Sequence, residues 1–192
     1  MQAAVEFIGV TKRYPGVTAL DGVSFSVAPG SCHAVCGENG AGKSTLGKLL
    51  SGIATLDAGE IRLDGAVANL AGPRDALALG VAMVHQELAF CGNMTVAENL
   101  CLADLPRRMG FVDRRVLRER ALERLAAIGA RVDPSARVDA LTIADQQLVQ
   151  IAGAVASGAR VIVFDEPTSS LSQVEADRLY ARWQELSDLT KA

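Results

Sequence analysis

From about residue 30 onward, short apolar runs alternate with segments whose apolar positions recur at helical spacing, the pattern of an α/β layer architecture. The runs at 31–36, 81–84 and 161–164 read as strands. The last is the clearest, because Val161, Ile162, Val163 and Phe164 stand between Arg160 and two acids. The first thirty residues look more β-rich, with strands at 5–10 and 22–27 and a Pro29-Gly30 stop. Another short strand at 60–63 runs into Asp64-Gly65, a turn signal. Helices are expected at 43–50, 114–127, 143–156 and 173–189. Leu117, Ala121 and Leu125, with Val116, Leu122 and Ile128, return every three or four residues and mark one packing face; Asp133-Pro134 ends that unit. Gly158 ends the segment 143–156, and Leu179, Tyr180, Trp183 and Leu186 mark the buried side of the last helix. Three starts carry capping-box signals: Thr95-x-x-Glu98, Thr142-x-x-Asp145 in a shorter Asp version, and Ser172-x-x-Glu175. The chain therefore reads as an α/β core with a mostly helical insertion at about 90–156.

Composition narrows the class. With 192 residues, 49% hydrophobic and 21% charged, the chain can bury one sizeable core and is not intrinsically disordered. Its longest wholly apolar stretch near the middle, 77–84 with the glycine included, falls far short of the ~20 residues of a membrane span. Glu6 interrupts the place where a secretory signal would need an apolar run, so a cytosolic protein is expected. A formal net charge of −3 offers no broad cationic footprint for nucleic acid. Seven arginines nevertheless lie between Arg107 and Arg124, balanced by Asp113, Glu119 and Glu123. That stretch reads as a solvated helix face laced with i,i+4 pairs, or as a docking patch for a partner. Cys32, Cys36, Cys91 and Cys101 form no CxxC, and His33 and His85 add no zinc spacing. Cys32 and Cys36 flank an apolar run and are expected as small buried hydrophobes in a reducing compartment.

The chemistry is concentrated at two places. Gly37-Glu38-Asn39-Gly40-Ala41-Gly42-Lys43-Ser44 fits G-x-x-x-x-G-K-[ST] without departure, after an expected strand and before an expected helix. Gly37, Gly40 and Gly42 let successive backbone N–H groups turn inward toward phosphate oxygens, and the following helix adds its unpaired N-terminal donors. Lys43 brings a cation to the β/γ-phosphates, and the Ser44 hydroxyl is a ligand for Mg²⁺. At the other place, the run 161–164 ends in Asp165 and Glu166. A buried strand delivers such acids to the sheet edge that holds the phosphates. Asp165 is then set to hold Mg²⁺ through water, and Glu166 to polarise an attacking water.

Taken in order, these residues resemble the ATPases of ABC transporters over nearly the whole chain. Leu141-Thr142-Ile143-Ala144-Asp145-Gln146, followed by Gln147, resembles the ABC signature; Gln86 matches the Q-loop glutamine, Tyr14 the aromatic that stacks on adenine, and Ser170-Leu171-Ser172 the D-loop. The finer likeness is to ATPases of ribose, xylose, galactose and arabinose importers, carried by 12–22, 33–39, 84–88, 93–99 and the doubled Gln146-Gln147. The resemblance implies a P-loop NTPase fold of ABC type: a RecA-like core, an N-terminal antiparallel β subdomain and a helical insertion. It implies ATP and Mg²⁺ as cofactors. Tyr14, Gly37, Asn39, Gly40, Gly42, Lys43, Ser44, Thr45, Thr142 and Ala144 would bind nucleotide. Ser44, Gln86 and Asp165 would hold the metal, while Glu166, Gln86 and Lys43 would serve catalysis. The implied partners are a second ABC domain packed head to tail, a transmembrane permease and, indirectly, an extracytoplasmic sugar-binding protein, at the inner face of the membrane.

The sequence also departs from the family pattern. Ala144 stands where the signature has its second glycine, Asp145 replaces the closing glutamine, and Ser172 replaces the D-loop aspartate. ABC domains carry a switch histidine beyond a further strand; neither His33 nor His85 fills that role by position, so residues 1–192 are expected to be a single, C-terminally truncated domain that binds ATP with little turnover of its own. Two alternatives stay open: a nucleotide-binding regulatory or structural domain without independent hydrolysis, and an ABC ATPase serving translation or DNA repair.

Overall fold

The computed structural model describes residues 2–84 and 90–165. In chain order they form β1 (Val5–Tyr14), β2 (Val17–Val27), α1 (Lys43–Leu50), β3 (Ala58–Leu63), β4 (Ala66–Val67), α2 (Pro73–Ala78), β5 (Val81–Val84), α3 (Val96–Leu100), β6 (Arg107–Arg108), β7 (Phe111–Val112), α4 (Arg114–Ala127), α5 (Ile143–Ala156) and β8 (Val161–Phe164). The described residues divide into two compact units: 2–83 with 159–165, and 84–158. The expected helix and the expected last capping box within 166–192 lie outside the described residues, as does His85.

The first unit holds a four-stranded antiparallel sheet ordered β2-β1-β3-β4 and the pair β5-β8. Val5 and Phe7 point into the core while Ile8 is exposed, the period-2 alternation of a half-buried strand. Phe7 faces Phe25 across the β1–β2 ladder, with stacked rings 4.6 Å apart. Leu46, Leu49 and Leu50 of α1 join Val10, Leu20, Ile61 and Leu63 in one apolar cluster. Each such side chain contributes about 1.5–3 kcal/mol when fully buried. The hairpin is longer than the apolar pattern suggested. Polar residues from Thr11 to Tyr14 break the alternation, yet pairing continues through register shifts because an antiparallel ribbon can leave one face in water. Its turn is Pro15-Gly16, with Gly16 at φ 81, the left-handed position of a proline-led type II turn.

One expected strand does not form. Residues 31–36 make no ladder among the described residues and are exposed along their whole length. An apolar run becomes a strand only when a neighbour takes up its N–H and C=O groups. β8 pairs here with β5 instead. His33 stacks on Phe25, with ring centroids 5.4 Å apart, which ties the segment to β2 by a side chain. Cys32 and Cys36 are accordingly exposed, contrary to expectation, and Cys101 is the fully buried cysteine, its thiol pushed up by burial.

The second unit packs α3, α4 and α5 together. Leu117, Ala121 and Leu125 of α4 are buried as their spacing requires, and Val96, Leu100, Val149 and Ala152 face the same core. α4 ends at Gly129, φ 64, well before Asp133-Pro134: the N–H of Ala130 reaches back to the Leu125 carbonyl at 2.9 Å. Among the described residues no helix is long and apolar enough to cross a membrane.

The start of α3 is a complete capping box. Thr95 Oγ1 accepts from the Glu98 N–H at 3.2 Å, and Glu98 Oε2 accepts from both the Thr95 N–H and hydroxyl at 2.8 Å. The backbone N–H of Thr95 foremost, then its hydroxyl, holds the Glu98 carboxyl below its ordinary 4.5. The charged form is therefore favoured by folding, and this stabilisation is full above pH 4.5 and drains away as pH falls through the lowered value. A urea-midpoint profile should show that acid-side loss in the wild type. It should be flatter for Glu98→Gln, while Thr95→Ala should cost about 1 kcal/mol at neutral pH.

Candidate functional site

The glycine-rich loop ends at a helix start that no side chain caps. Gly42 is the N-cap of α1, at φ 86, and its place is tight: a Cβ there would strike the Ala19 carbonyl oxygen and lie 2.8 Å from Leu20 Cδ2. Only glycine meets both conditions. With no acid in the first turn and no side-chain cap, the N–H groups that open α1 remain directed at the loop as donors for an anion. Ser44 and Thr45 lie in that first turn; Gly37, Asn39 and Gly40 are exposed in the loop, with Gly40 also left-handed at φ 87. Lys43 Nζ donates to the carbonyls of Gly37 at 2.9 Å and Glu38 at 3.0 Å, so the cation is held inside the curve of the loop.

The second acidic element meets the first. The Ser44 hydroxyl donates to Asp165 Oδ1 at 2.9 Å, across 121 residues of sequence. The seating of α1 on β8 makes this possible: a Cβ on Gly47 would come within 3.2 Å of Val163 Cγ1 and 3.5 Å of Met83 Cε, so the helix approaches the strand closely there. A hydroxyl and a carboxylate side by side are hard oxygen donors, the set that suits Mg²⁺. Gln86 and Glu166 lie outside the described residues.

Tyr14 stands at the end of β1, about two-fifths exposed, with Lys12 Nζ 5.4 Å from its ring centroid. Asp57, which no motif in the sequence marks, fastens this strand end. Its carboxylate accepts from the Arg13 N–H at 2.6 Å and from Lys12 Nζ at 3.2 Å, while its own N–H donates to the Thr11 carbonyl at 3.0 Å. The Arg13 N–H foremost, then Lys12, holds the Asp57 carboxyl below its usual range. No local pattern announces an acid whose partners lie some 44 residues away.

In the second unit, Thr142 is the N-cap of α5 and accepts from the Asp145 N–H at 3.1 Å. The Asp145 carboxylate accepts from the Thr142 hydroxyl at 2.9 Å, as Glu98 does from the Thr95 hydroxyl, but one methylene shorter it does not add the backbone bond that completes the capping box at Thr95. Ala144 lies in the same first turn, half-buried. Gln146 steadies the turn by donating to the carbonyls of Val138 and Leu141 at 3.1 and 3.2 Å.

A sequence model of the family described as ABC transporter matches residues 20–169. The chain belongs to the ABC transporter family. Curated relatives within it include an arabinose import ATP-binding protein of Rhizobium meliloti (strain 1021), 51% identical over 94% of this chain and 36% of that protein. A ribose import ATP-binding protein of Rubrobacter xylanophilus is 47% identical over 99% of this chain and 38% of its own length. The chain thus spans a little over a third of the curated relatives it matches. Among solved structures, an ATP-binding cassette of an ABC transporter in its ADP conformation superposes with a TM-score of 0.85 at 24% identity, covering 99% of this chain and 78% of that one. The structure of cbiO1 from Clostridium perfringens, part of the ABC transporter complex cbiONQ, gives 0.83 at 20% identity, covering 99% of this chain and 76% of that one. These likenesses establish the α/β fold of the ABC ATPase domain with its antiparallel β subdomain.

The geometry of Gly42 gives a direct check on the loop. Gly42→Ala should lower stability by about 1–3 kcal/mol, the cost of a left-handed non-glycine residue, measured by urea denaturation without nucleotide.

Proposed function

We propose that this chain binds ATP with Mg²⁺ and hydrolyses it as the energising subunit of a monosaccharide importer. The observation that carries the reading is the 2.9 Å bond joining Ser44 to Asp165, which unites the phosphate-loop helix with the acidic end of β8. The kinship with arabinose and ribose import ATP-binding proteins supports the sugar class. In this reading residues 1–192 are one ABC ATPase domain with a helical insertion at about 90–156. The domain sits at the inner face of the membrane. Its partners are a second ABC domain, a transmembrane permease and, indirectly, an extracytoplasmic sugar-binding protein.

The residues divide the work as follows. Tyr14 stacks on adenine, and Asp57 keeps the end of β1 in place for it. The N–H groups of the loop and of the first turn of α1, from Gly37 and Asn39 through Gly40, Gly42, Ser44 and Thr45, surround the phosphates. Lys43 exchanges its carbonyl partners for β- and γ-phosphate oxygens and offsets charge on the transferred group. Ser44, Asp165 and Gln86 hold Mg²⁺, which when bound neutralises phosphate charge. Glu166 accepts a proton from the water that attacks the γ-phosphorus as the bond to the β–γ bridging oxygen breaks. Thr142 and Ala144, at the start of α5, meet the γ-phosphate of the nucleotide held by a partner domain.

One observation favours a second reading, a nucleotide-binding regulatory or structural domain without independent hydrolysis. The Thr142 hydroxyl already donates to Asp145, and that carboxylate stands in the first turn that would face phosphate. Calorimetric titration and a phosphate-release assay separate the two. Lys43→Ala should abolish ATP binding, and Glu166→Gln should retain binding while lowering turnover at least ~100-fold. Wild-type protein that binds ATP but turns none over beside a partner domain would favour the second reading; unchanged turnover in both variants would sink the first.

Adenine recognition has its own check. Tyr14→Ala should weaken ATP binding about tenfold, within the range of lost base stacking. Asp57→Ala should weaken it less, and neither should alter the affinity for inorganic triphosphate.

A further inference from the structure

The arginine-rich stretch of the second unit ends up in two parts. Arg120 and Arg124 reach Asp104, at 3.2 and 2.8 Å, and Arg115 pairs with Glu119 one helical turn on, at 3.2 Å. Arg107, Arg108, Arg114 and Arg118 are exposed and form no ion pair among the described residues. Residues 107–124 hold seven arginines and three acids, a local charge of +4 in a chain whose total is −3. This stretch thus carries a local net positive charge in a chain that is net negative.

The hairpin β6–β7 carries that charge next to apolar groups that serve no packing. Arg107 pairs across it with Val112, and Arg108 with Phe111. Its two-residue turn is Met109-Gly110, both left-handed, at φ 51 and 88. Turn chemistry places Asn or Asp at the first of these positions, not methionine. Met109 is 92% exposed and Phe111 79% exposed. Folding therefore accounts for neither side chain, and the strained methionine points to a role outside the unit. The base of the hairpin is anchored: the Asp113 N–H donates to the Pro106 carbonyl at 2.9 Å, and the Asp113 carboxylate caps α4 by accepting from the N–H groups of Arg115 and Val116. The finger consequently stands on a fixed support.

We propose that this hairpin is a contact with an anionic lipid surface. Met109 and Phe111 enter the boundary between headgroups and acyl chains, and Arg107 and Arg108, with Arg114 and Arg118 behind them, bind lipid phosphates. Two side chains on a tight turn offer far less than the ~800 Å² per partner of a stable protein interface. Shallow insertion needs no matching surface, and it gains from each flanking cation. The planar guanidinium fork suits phosphate oxygens. The inference does not rest on the nucleotide reading, and its test contains no nucleotide.

Flotation of the full chain with protein-free vesicles of phosphatidylcholine, with and without phosphatidylglycerol, provides the test. The wild type should bind the phosphatidylglycerol vesicles and release as salt is raised, and should leave pure phosphatidylcholine unbound. Arg107→Glu with Arg108→Glu should lower partitioning more than about tenfold, since each arginine is worth roughly fivefold near such a surface. The pair Arg107→Lys and Arg108→Lys should keep most of the binding. Met109→Asn suits the turn better than methionine, so it should raise the melting temperature while weakening vesicle binding, which separates lipid contact from misfolding. A wild type that ignores anionic vesicles, or variants that bind as it does, would overturn the proposal. So would a variant defect seen with membranes that retain their proteins but not with protein-free vesicles, since that would assign the finger to a protein partner.

Discussion

The close seating of α1 on β8 is the constraint on which the candidate site depends. Without a Cβ at Gly47, the helix can lie against Val163 and Met83, and Ser44 arrives within hydrogen-bonding distance of Asp165. The buried Leu46, Leu49 and Leu50 fix the rotation of the same helix by facing the sheet cluster. Its remaining side then presents Lys43 and Ser44 at the open N-terminus. Apolar packing thereby sets the geometry of a polar site: the helix cannot turn away without exposing three leucines, at about 1.5–3 kcal/mol each.

Two helix starts in the second unit show how one methylene changes chemistry. Glu98 is long enough to reach back to the Thr95 N–H, so its carboxylate closes a capping box and serves α3 alone. Asp145 occupies the equivalent place in α5 and keeps the contact with the threonine hydroxyl but not the backbone bond that closes the box. A threonine that family likeness assigns to a γ-phosphate is thereby engaged with a negative group. The departure visible in the sequence at Asp145 thus acquires a specific meaning: competition for one hydroxyl proton at a helix N-terminus.

The arginines illustrate the same economy of position. Spacing along α4 suggested pairs with Glu119 and Glu123, and Arg115 does pair with Glu119. Arg120 and Arg124 turn to Asp104, outside the helix, where they also bond the carbonyls of Asp104 and Leu100 and so tie α4 to the chain that leaves α3. Arg107 and Arg108, in the hairpin with the exposed Met109 and Phe111, form no ion pair among the described residues. The solvated helix face laced with i,i+4 pairs describes only part of the stretch, since Arg120 and Arg124 pair outside their helix.

Local pattern was enough for much of the fold. Helical spacing located α4 and α5, the run after the glycine-rich loop located α1, and the apolar runs located β5 and β8, because local pattern carries each of those elements. The Gly129 stop of α4 was not read, Asp133-Pro134 having been expected to end it. The glycine-rich loop was equally legible as a motif, since its glycines, which set the backbone, and the Lys43 and Ser44 side chains fall within eight residues. The extension of β1 and β2 past their apolar parts was not, because antiparallel ladders tolerate polar residues on the solvent side. The run 31–36 has the composition of a strand but lacks a ladder among the described residues, and composition cannot supply a neighbour. Asp57 was invisible for the same reason: its partners at Lys12 and Arg13 are set by how β1 folds back beside β3. Sequence alone determined which chemistry is present and which segments coil. Tertiary structure decided which hydroxyl meets which carboxylate, because contacts between distant residues depend on where packed elements come to rest.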